Sequence, residues 1–331
     1  MRIAVIGLGA VGSRAARQLV ASEAVESVIL RDIRSARVDE VAESLGTKAV
    51  PEHQSVTAPP DADAVILAGP PGDHAVQALE LLNRDVPVVS VSDSVADVEA
   101  LLDLGPVAAA RGVSLVIGAG FSPGLTCVLA RHAANRFDHV DEIHVAKVGT
   151  GGPACARQHH QALANAAIDW RDGGWQRRPG GSGRELCWFP DPVGAADCYR
   201  AALPDALLLV NAFPGIERVT ARVAATRRDR FTARLPMLRP PHPEGGVGAV
   251  RVEVRGRRGD RRDVRVLGVM DRPGVAAGAV AAVSAVLAAE GGLVRTGAGS
   301  LAELVEPIAF LGELSRRGVR AAIFDGAGNP A

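Results

Sequence analysis

The stretch Arg2-Ile-Ala-Val-Ile-Gly7-Leu-Gly9-Ala-Val-Gly12 decides how this chain is read. Arg2 to Ile6 is a short, largely β-branched run, the pattern of a strand buried on both faces. Gly7, Gly9 and Gly12 follow it at G-x-G-x-x-G spacing. Ser13 to Ser22 reads as a helix with Ala15, Ala16, Leu19 and Val20 on one face. Val25 to Leu30 is a second buried strand that ends in Arg31-Asp32, and Asp32 lies 20 residues after Gly12. Strand, glycine turn, helix, strand and acid occur in that order, so the glycine motif stands in the context its physics requires. Gly7 permits a tight turn, Gly9 lets a pyrophosphate approach the backbone, and Gly12 lets helix and strand pack closely. The helix start, with Ala10 and Val11 beside Gly12, then turns its amides and positive dipole end toward phosphate. Asp32 is placed to accept from an adenosine ribose, which favours NAD. Arg34, two residues on, is placed for a 2′-phosphate or for adenine, which favours NADP. The reading is NAD or NADP, leaning to NAD through Asp32. A glycine turn that holds no cofactor is the bland alternative.

The α/β rhythm continues. Ser35 to Leu45 reads as a helix stopped by Gly46, and Ala62 to Leu67 as a strand leading into Ala68-Gly69-Pro70-Pro71-Gly72. Asp73 caps a helix from His74 to Asn83. Val86 to Val91 is a strand ending in Ser92-Asp93-Ser94, Val95 to Leu104 a helix, and Val113 to Ile117 a sixth strand. Six strands alternating with helices imply a doubly wound parallel sheet, the Rossmann arrangement, with ligands at the carboxyl ends of its strands. Gly69 to Gly72, Ser92 to Ser94 and Gly118 to Gly124 form the expected rim.

Composition narrows the alternatives. The chain has 331 residues, 47% of them hydrophobic, with 37 basic residues against 37 acidic ones. It lacks the net positive field of a nucleic-acid binder. All but two of the basic residues are arginine, so a catalytic lysine has only Lys48 and Lys147 to draw on. The one tyrosine, Tyr199, is followed four residues later by Leu203, so no Tyr-x-x-x-Lys dyad exists. Four cysteines without C-x-x-C spacing read as reduced thiols, and no His/Cys spacing reads as a metal site. The start has no signal-peptide pattern. The longest weakly apolar run, Pro273 to Ala289, is short for a bilayer that needs roughly 20 apolar residues. The expectation is a cytoplasmic protein with a small-molecule substrate and no nucleic-acid or membrane partner.

After the sixth strand comes Gly118-Ala-Gly120-Phe121-Ser122-Pro123-Gly124-Leu-Thr126. It resembles the G-x-G-x-x-P-G turn of the saccharopine dehydrogenase-like family, whose members include saccharopine reductases and carboxynorspermidine dehydrogenases. Val91-Ser-Asp93-Ser94, Ala68-Gly69-Pro70-Pro71 and the Ala108 to Gly112 helix end resemble other motifs of that family. Asp172-Gly-Gly-Trp175, Phe189 to Gly194 and Leu301-Ala-Glu303 continue the likeness more loosely. The resemblance implies three things about the fold: a nicotinamide-binding domain, a second α/β domain that holds substrate and often dimerises, and a C-terminal segment returning to the first domain. The corresponding spans here are 1–124, 125–291 and 292–331. It also implies reduction of imines formed from amino acids, or the reverse oxidation. The lysine-forming branch uses a Lys/His pair, and neither lysine here stands in a matching place.

Read without that resemblance, 125–291 is a mixed-sheet α/β domain. Glu142 to Gly149, Ala206 to Val210, Val219 to Ala225, Val250 to Arg255 and Val264 to Val269 read as strands. Arg157 to Trp170, Val275 to Ala289 and Leu301 to Arg317 read as helices, Arg171 to Gly183 as loop or hairpin, and Gly256 to Asp263 as a charged hairpin tip. Ala321 to Phe324 is a last short strand.

Candidate chemistry follows from what hydride transfer needs, which is positioning, dryness and a proton. Asp93 is placed to bind a substrate ammonium or orient a donor, or else to cap the Val95 helix; Ser94 is a weaker version of the same case. Ser122 and Thr126, with Phe121, Pro123 and Gly124, flank a helix start whose amides suit a carboxylate. Gly120, Gly69, Pro70 and Pro71 are placed along the cofactor. His74 either faces the cofactor or lies on the surface. His159 and His160 are candidates for acid–base work or carboxylate binding, and Arg157 for a bidentate clamp; the alternative for all three is a polar helix face. Trp170, Trp175 and Trp188 wall a pocket or pack in core or dimer. The sequence reading is an NAD(P)-dependent oxidoreductase acting at a C–N bond, expected as a homodimer. Its rivals are a C–O or aldehyde oxidoreductase, and a dinucleotide-binding regulator without catalysis.

Overall fold

The structure is a computed structural model that describes residues 1–237 and 240–324. The chain divides into two compact units. The first is Met1–Leu125 with Gly274–Glu306; the second is Thr126–Pro273 with the segment that begins at Pro307.

The first unit opens with strands β1 (Arg2–Ile6), β2 (Ser27–Arg31), β3 (Ala49–Pro51), β4 (Ala64–Leu67), β5 (Val88–Ser90) and β6 (Ser114–Ile117). The second holds β7 (His139–Val148), β8 (Ala167–Arg171), β9 (Gly174–Arg178), β10 (Glu185–Trp188), β11 (Ala195–Arg200), β12 (Arg218–Ala224), β13 (Gly248–Arg258) and β14 (Arg261–Asp271). β15 (Gly297–Gly299) completes the first unit and β16 (Ala321–Phe324) the second.

The first unit is a seven-stranded sheet in the order β15-β6-β5-β4-β1-β2-β3, parallel at every pairing. The central strands are apolar throughout because helices cover both faces, as in any parallel sheet built by crossovers. Ile3, Ala4, Val5, Val28, Ile29, Val65 and Ile66 have no exposed surface. The strand order reverses between β1 and β4, and the carboxyl ends there carry the glycine turn and the Gly69–Gly72 turn.

The second unit is a nine-stranded mixed sheet with a main path β10-β11-β12-β7-β13-β14-β16; β8 pairs with β12, and β9 with β8. Here the pleat alternates. On β13, Val250, Val252 and Val254 are buried, while Arg251, Glu253 and Arg255 stand on the opposite face as an ion-paired row. An α/β fold, with a parallel Rossmann-like unit and a mixed-sheet unit, is therefore what the chain adopts.

Several expectations need correction. The segment that returns to the first unit is 274–306, not 292–331. The Pro273–Glu290 helix approaches the Ala10–Val20 helix so closely that a Cβ on Gly278 would lie 2.6 Å from the Cβ of Arg14. The final strand β16 pairs antiparallel with β14 of the second unit. The Pro273–Glu290 helix has the length and composition of a membrane span, yet most of it is buried within the protein. Ala206–Val210 is not a strand but the middle of the Asp205–Ala212 helix; a five-residue apolar run carries no period of its own. The helix expected over 157–170 is Pro153–Ala164, after which the chain turns at Asn165 into β8. The 301–317 helix is broken into Leu301–Leu304 and Pro307–Arg316, with Pro307 at the break. The charged run 256–263 is mostly strand, because the β13/β14 ladder continues to Arg258 and Arg261.

Candidate functional site

In the glycine turn the three glycines differ. Gly7 adopts φ +96°, and a Cβ there would lie 2.5 Å from the Gly69 amide nitrogen. A Cβ on Gly12 would lie 1.8 Å from the Gly7 carbonyl oxygen. Both are pinned by backbone, so only glycine fits. A Cβ on Gly9 would meet nothing within 4 Å. Gly9 is the N-cap of the Ala10–Val20 helix, with no side-chain cap and no acid in the first turn. The helix start at Ala10, Val11 and Gly12 thus presents uncapped amides beside open space, which is what a diphosphate requires.

Asp32 is tied into this turn. Its carboxylate accepts from the Leu8 amide (2.7 Å), the Arg34 amide (3.0 Å) and Arg34 Nε (3.3 Å). The acid therefore fixes the loop's shape. Arg34 is exposed and folds back on Asp32. Beneath them Arg31, 1% exposed, is held by Glu52, with Nε donating at 2.8 Å.

The neighbouring rim is organised by residues that sequence reading undervalued. His74 is buried, not on the surface. Its Nδ1 shares a hydrogen bond with Ser90 Oγ at 2.8 Å and its Nε2 reaches the Gly69 carbonyl at 3.2 Å. Burial lowers its pKa, with Asp97 pulling the other way, so the imidazole is a neutral staple between β5 and the Gly69-Pro70-Pro71 turn. Asp97 accepts from the Gly72 amide (3.0 Å) and from Ser92 Oγ (2.8 Å). Ser94-Val-Ala-Asp97 has the spacing of a capping box, but Ser94 makes no side-chain cap bond and Asp97 turns to Gly72 and Ser92 instead. Pro70 and Pro71 are exposed at the end of β4. Asp93 is half-buried just beyond β5, and the helix cap there is Ser94, not Asp93.

The 118–124 turn differs from expectation. Phe121, Ser122, Pro123 and Gly124 are all buried. The Gly120 amide donates to Gly118 and Pro123 carbonyls (2.9 and 3.0 Å), and the Leu125 amide to the Gly120 carbonyl (2.9 Å). These donors are spent inside the turn, not held out for a carboxylate. Gly124, at φ +123°, would put a Cβ 2.3 Å from the Gly120 carbonyl oxygen, which explains a glycine after the proline.

In the second unit, Thr126 is fully buried and its hydroxyl donates to Asp205 Oδ1 at 2.7 Å, so its side chain serves that internal bond. Arg157 is exposed on the Pro153–Ala164 helix. His160 is half-buried, with Nε2 2.9 Å from the Leu235 carbonyl. His159 is buried, its Nδ1 has no partner among the described residues, and burial, with the Lys147 and His160 charges nearby, pushes its pKa down to about 3. It is a neutral imidazole at ordinary pH that resists protonation, so it is neither a standing cation nor an effective base near neutrality. Lys147, one of the two lysines, is 5% exposed beside it; its place on β7 within an apolar alternation hid it from sequence reading. Trp170 and Trp175 meet edge to face with centroids 4.9 Å apart, and Trp188 is exposed. No metal was expected. His139, Asp141 and Glu217 bring ligand atoms within 4.8 Å of one another, with the Arg257 guanidinium 2.8 Å from Asp141.

Comparison with known proteins agrees with this geometry in the first unit. Residues 1–119 match the Gfo/Idh/MocA oxidoreductase family, described as having an NAD-binding Rossmann fold. The inositol 2-dehydrogenase of Mycolicibacterium smegmatis (strain ATCC 700084 / mc(2)155) is 32% identical over 118 residues, 35% of this chain and 34% of that protein. The chain thus matches about a third of the length of this curated relative. Among solved structures, an apo saccharopine dehydrogenase (L-Glu forming) from Saccharomyces cerevisiae superposes with TM-score 0.70 at 15% identity, covering 97% of this chain and 99% of that one. A myo-inositol dehydrogenase from Corynebacterium glutamicum ATCC 13032 gives TM-score 0.49 at 13% identity over 100% and 99% of the two chains. Residues 1–119 are thus similar in sequence to that family's NAD-binding Rossmann domain, and the chain has the fold seen in saccharopine dehydrogenase.

Proposed function

We propose that the protein is an NAD(P)-dependent oxidoreductase that moves a hydride to or from a carbon–nitrogen bond of an amino-acid-derived substrate. The observation that carries the coenzyme half is the contrast among the glycines: Gly7 and Gly12 closed by backbone contacts, Gly9 open above an uncapped helix start. The coenzyme, when bound, supplies or accepts the hydride. The chain's part is to hold the diphosphate on the amides after Gly9 and the ribose on Asp32, and to keep the β4 and β5 rim rigid through His74 and Asp97. Asp93, half-buried just past β5, binds a substrate ammonium.

The choice of a carbon–nitrogen bond is supported by the whole-chain likeness to saccharopine dehydrogenase. The second reading, a C–O oxidoreductase acting on a polyol, is favoured by the match to an inositol 2-dehydrogenase within the first third of the chain. Absorbance at 340 nm separates them. Turnover with amine plus keto-acid pairs and none with inositols supports the first; the reverse supports the second. Coenzyme binding without turnover on either panel indicates a regulator. Asp32→Ala is expected to weaken NAD more than NADP, and equal loss removes the ribose role. As part of the same proposal the protein is a cytoplasmic homodimer, which its mass in solution tests.

A further inference from the structure

The nine-stranded sheet contains a fork. Strand β12 offers one edge to two partners in succession: Arg218 and Val219 pair with β8, while Arg222, Val223 and Ala224 pair with β11. Between these pairings the two partner strands diverge, and a small, partly open cleft lies beside Thr220. The period-two register decides what lines it. Arg218 is opposite Arg171, and Asp169 is two residues along from Arg171 on the same face. Asp169 is opposite Gln176, with Arg178 two residues beyond, and Arg200 is opposite Arg222. All these polar side chains therefore share one face of the sheet, the face opposite Lys147, which is an odd number of registers away from His144, the partner of Thr220.

The charges in the cleft are only partly satisfied. Asp169 is 6% exposed; Oδ2 accepts from Arg200 Nε at 2.8 Å, while Oδ1 is buried with no partner among the described residues. Arg171 pairs with Asp172. Arg178 donates only to the Gln176 side-chain oxygen, and Arg218 has no hydrogen-bond or ion-pair partner for its guanidinium among the described residues. A buried carboxylate oxygen without a donor is costly, and two guanidiniums without an anion leave their fork geometry unused.

We propose that this cleft binds a free α-amino acid as its zwitterion, with the carboxylate on Arg178 and Arg218 and the ammonium on Oδ1 of Asp169. A bare oxyanion answers the arginines but sets negative charge against Asp169. A simple amine answers Asp169 and adds to the positive charge. Only a ligand carrying both groups a few bonds apart satisfies the whole cleft. The site uses the second unit alone and does not depend on the coenzyme reading.

The test is calorimetry on the full-length protein without coenzyme, using L-alanine, L-glutamate and L-lysine as probes, with acetate, methylammonium and inorganic phosphate as half-ligands. At least one amino acid is expected to bind saturably, at least about tenfold more tightly than any half-ligand. Asp169→Asn is expected to abolish that advantage over acetate, and Arg218→Gln and Arg178→Gln to weaken binding about tenfold each. Arg178 is exposed, so its variant reports even where Asp169→Asn fails to fold. Gly9→Ala, in the glycine turn, leaves amino-acid binding unchanged, which separates this cleft from the coenzyme site. The proposal is overturned by no binding of any amino acid, by phosphate or acetate binding as tightly, or by amino-acid binding indifferent to both arginine variants.

Discussion

The two sheets solve opposite problems with the same backbone. In the first, every pairing is parallel and the central strands are apolar on both faces, so no side chain is left there for chemistry. Function is pushed to the carboxyl rim, where it depends on where a Cβ is absent. In the second, antiparallel pairings let one face go polar, and arginines and carboxylates line up across β13, β12 and β8. There, function depends on which charges find partners. A glycine substitution in the first unit and a charge substitution in the second should therefore fail in different ways.

The sharpest break lies within the glycine turn. Gly12→Val drives a side chain into the Gly7 carbonyl, and a loss of more than about 4 kcal/mol in stability is expected, with coenzyme binding lost alongside. Gly9→Ala meets no protein atom, so it should leave the melting temperature alone and weaken NADH at least about tenfold in a fluorescence titration. Equal melting temperatures for the two variants would erase the distinction between closed and open glycines.

Glu52→Ala comes next. It strips the main partner from Arg31, a cation that is almost wholly buried at the end of β2, and about 3 kcal/mol is expected in urea unfolding. That a buried charge props up an apolar sheet makes the first unit less uniform than its strands imply.

The second unit responds to pH. His159 has its pKa lowered to about 3 by burial and by the Lys147 and His160 charges. In the unfolded chain it takes up a proton as pH falls through its ordinary value of 6.5; in the folded chain it does not until near 3. Its contribution is therefore fully present above about pH 6.5 and is lost as pH falls from there. His159→Asn should flatten the acid limb of stability between pH 6.5 and 4.5 by about one proton's slope. His74 and His144 are shifted the same way, by burial first, so the limb should shrink and not vanish. The smallest effect belongs to the surface: Asp61→Asn removes an exposed pair with Arg2 and should change stability by less than about 0.5 kcal/mol.

How far the sequence could be read follows the same divide. The βαβ unit was legible because strand period, glycine spacing and terminal acid are all local, and each has one physical explanation. Ala206 to Val210 suits a strand or a helix, because five apolar residues in a row carry no period, and the backbone of Asp205–Ala212 takes the helix. The half-satisfied Asp169 is not legible because its partner Arg200 lies on another strand, and register across a mixed sheet is not written in any one segment. The 118–124 turn shows the converse. Its glycines and proline were recognised, but the use of its amides depended on bonds that close within the turn.

The central claim is that the amides after Gly9 seat a dinucleotide. Calorimetric titration of the full-length protein with NADH and NADPH, and with their oxidised forms, tests it most directly. Saturable binding of at least one form, at one site per chain and weakened by Gly9→Ala, is the predicted result; no measurable binding of any of the four contradicts the account.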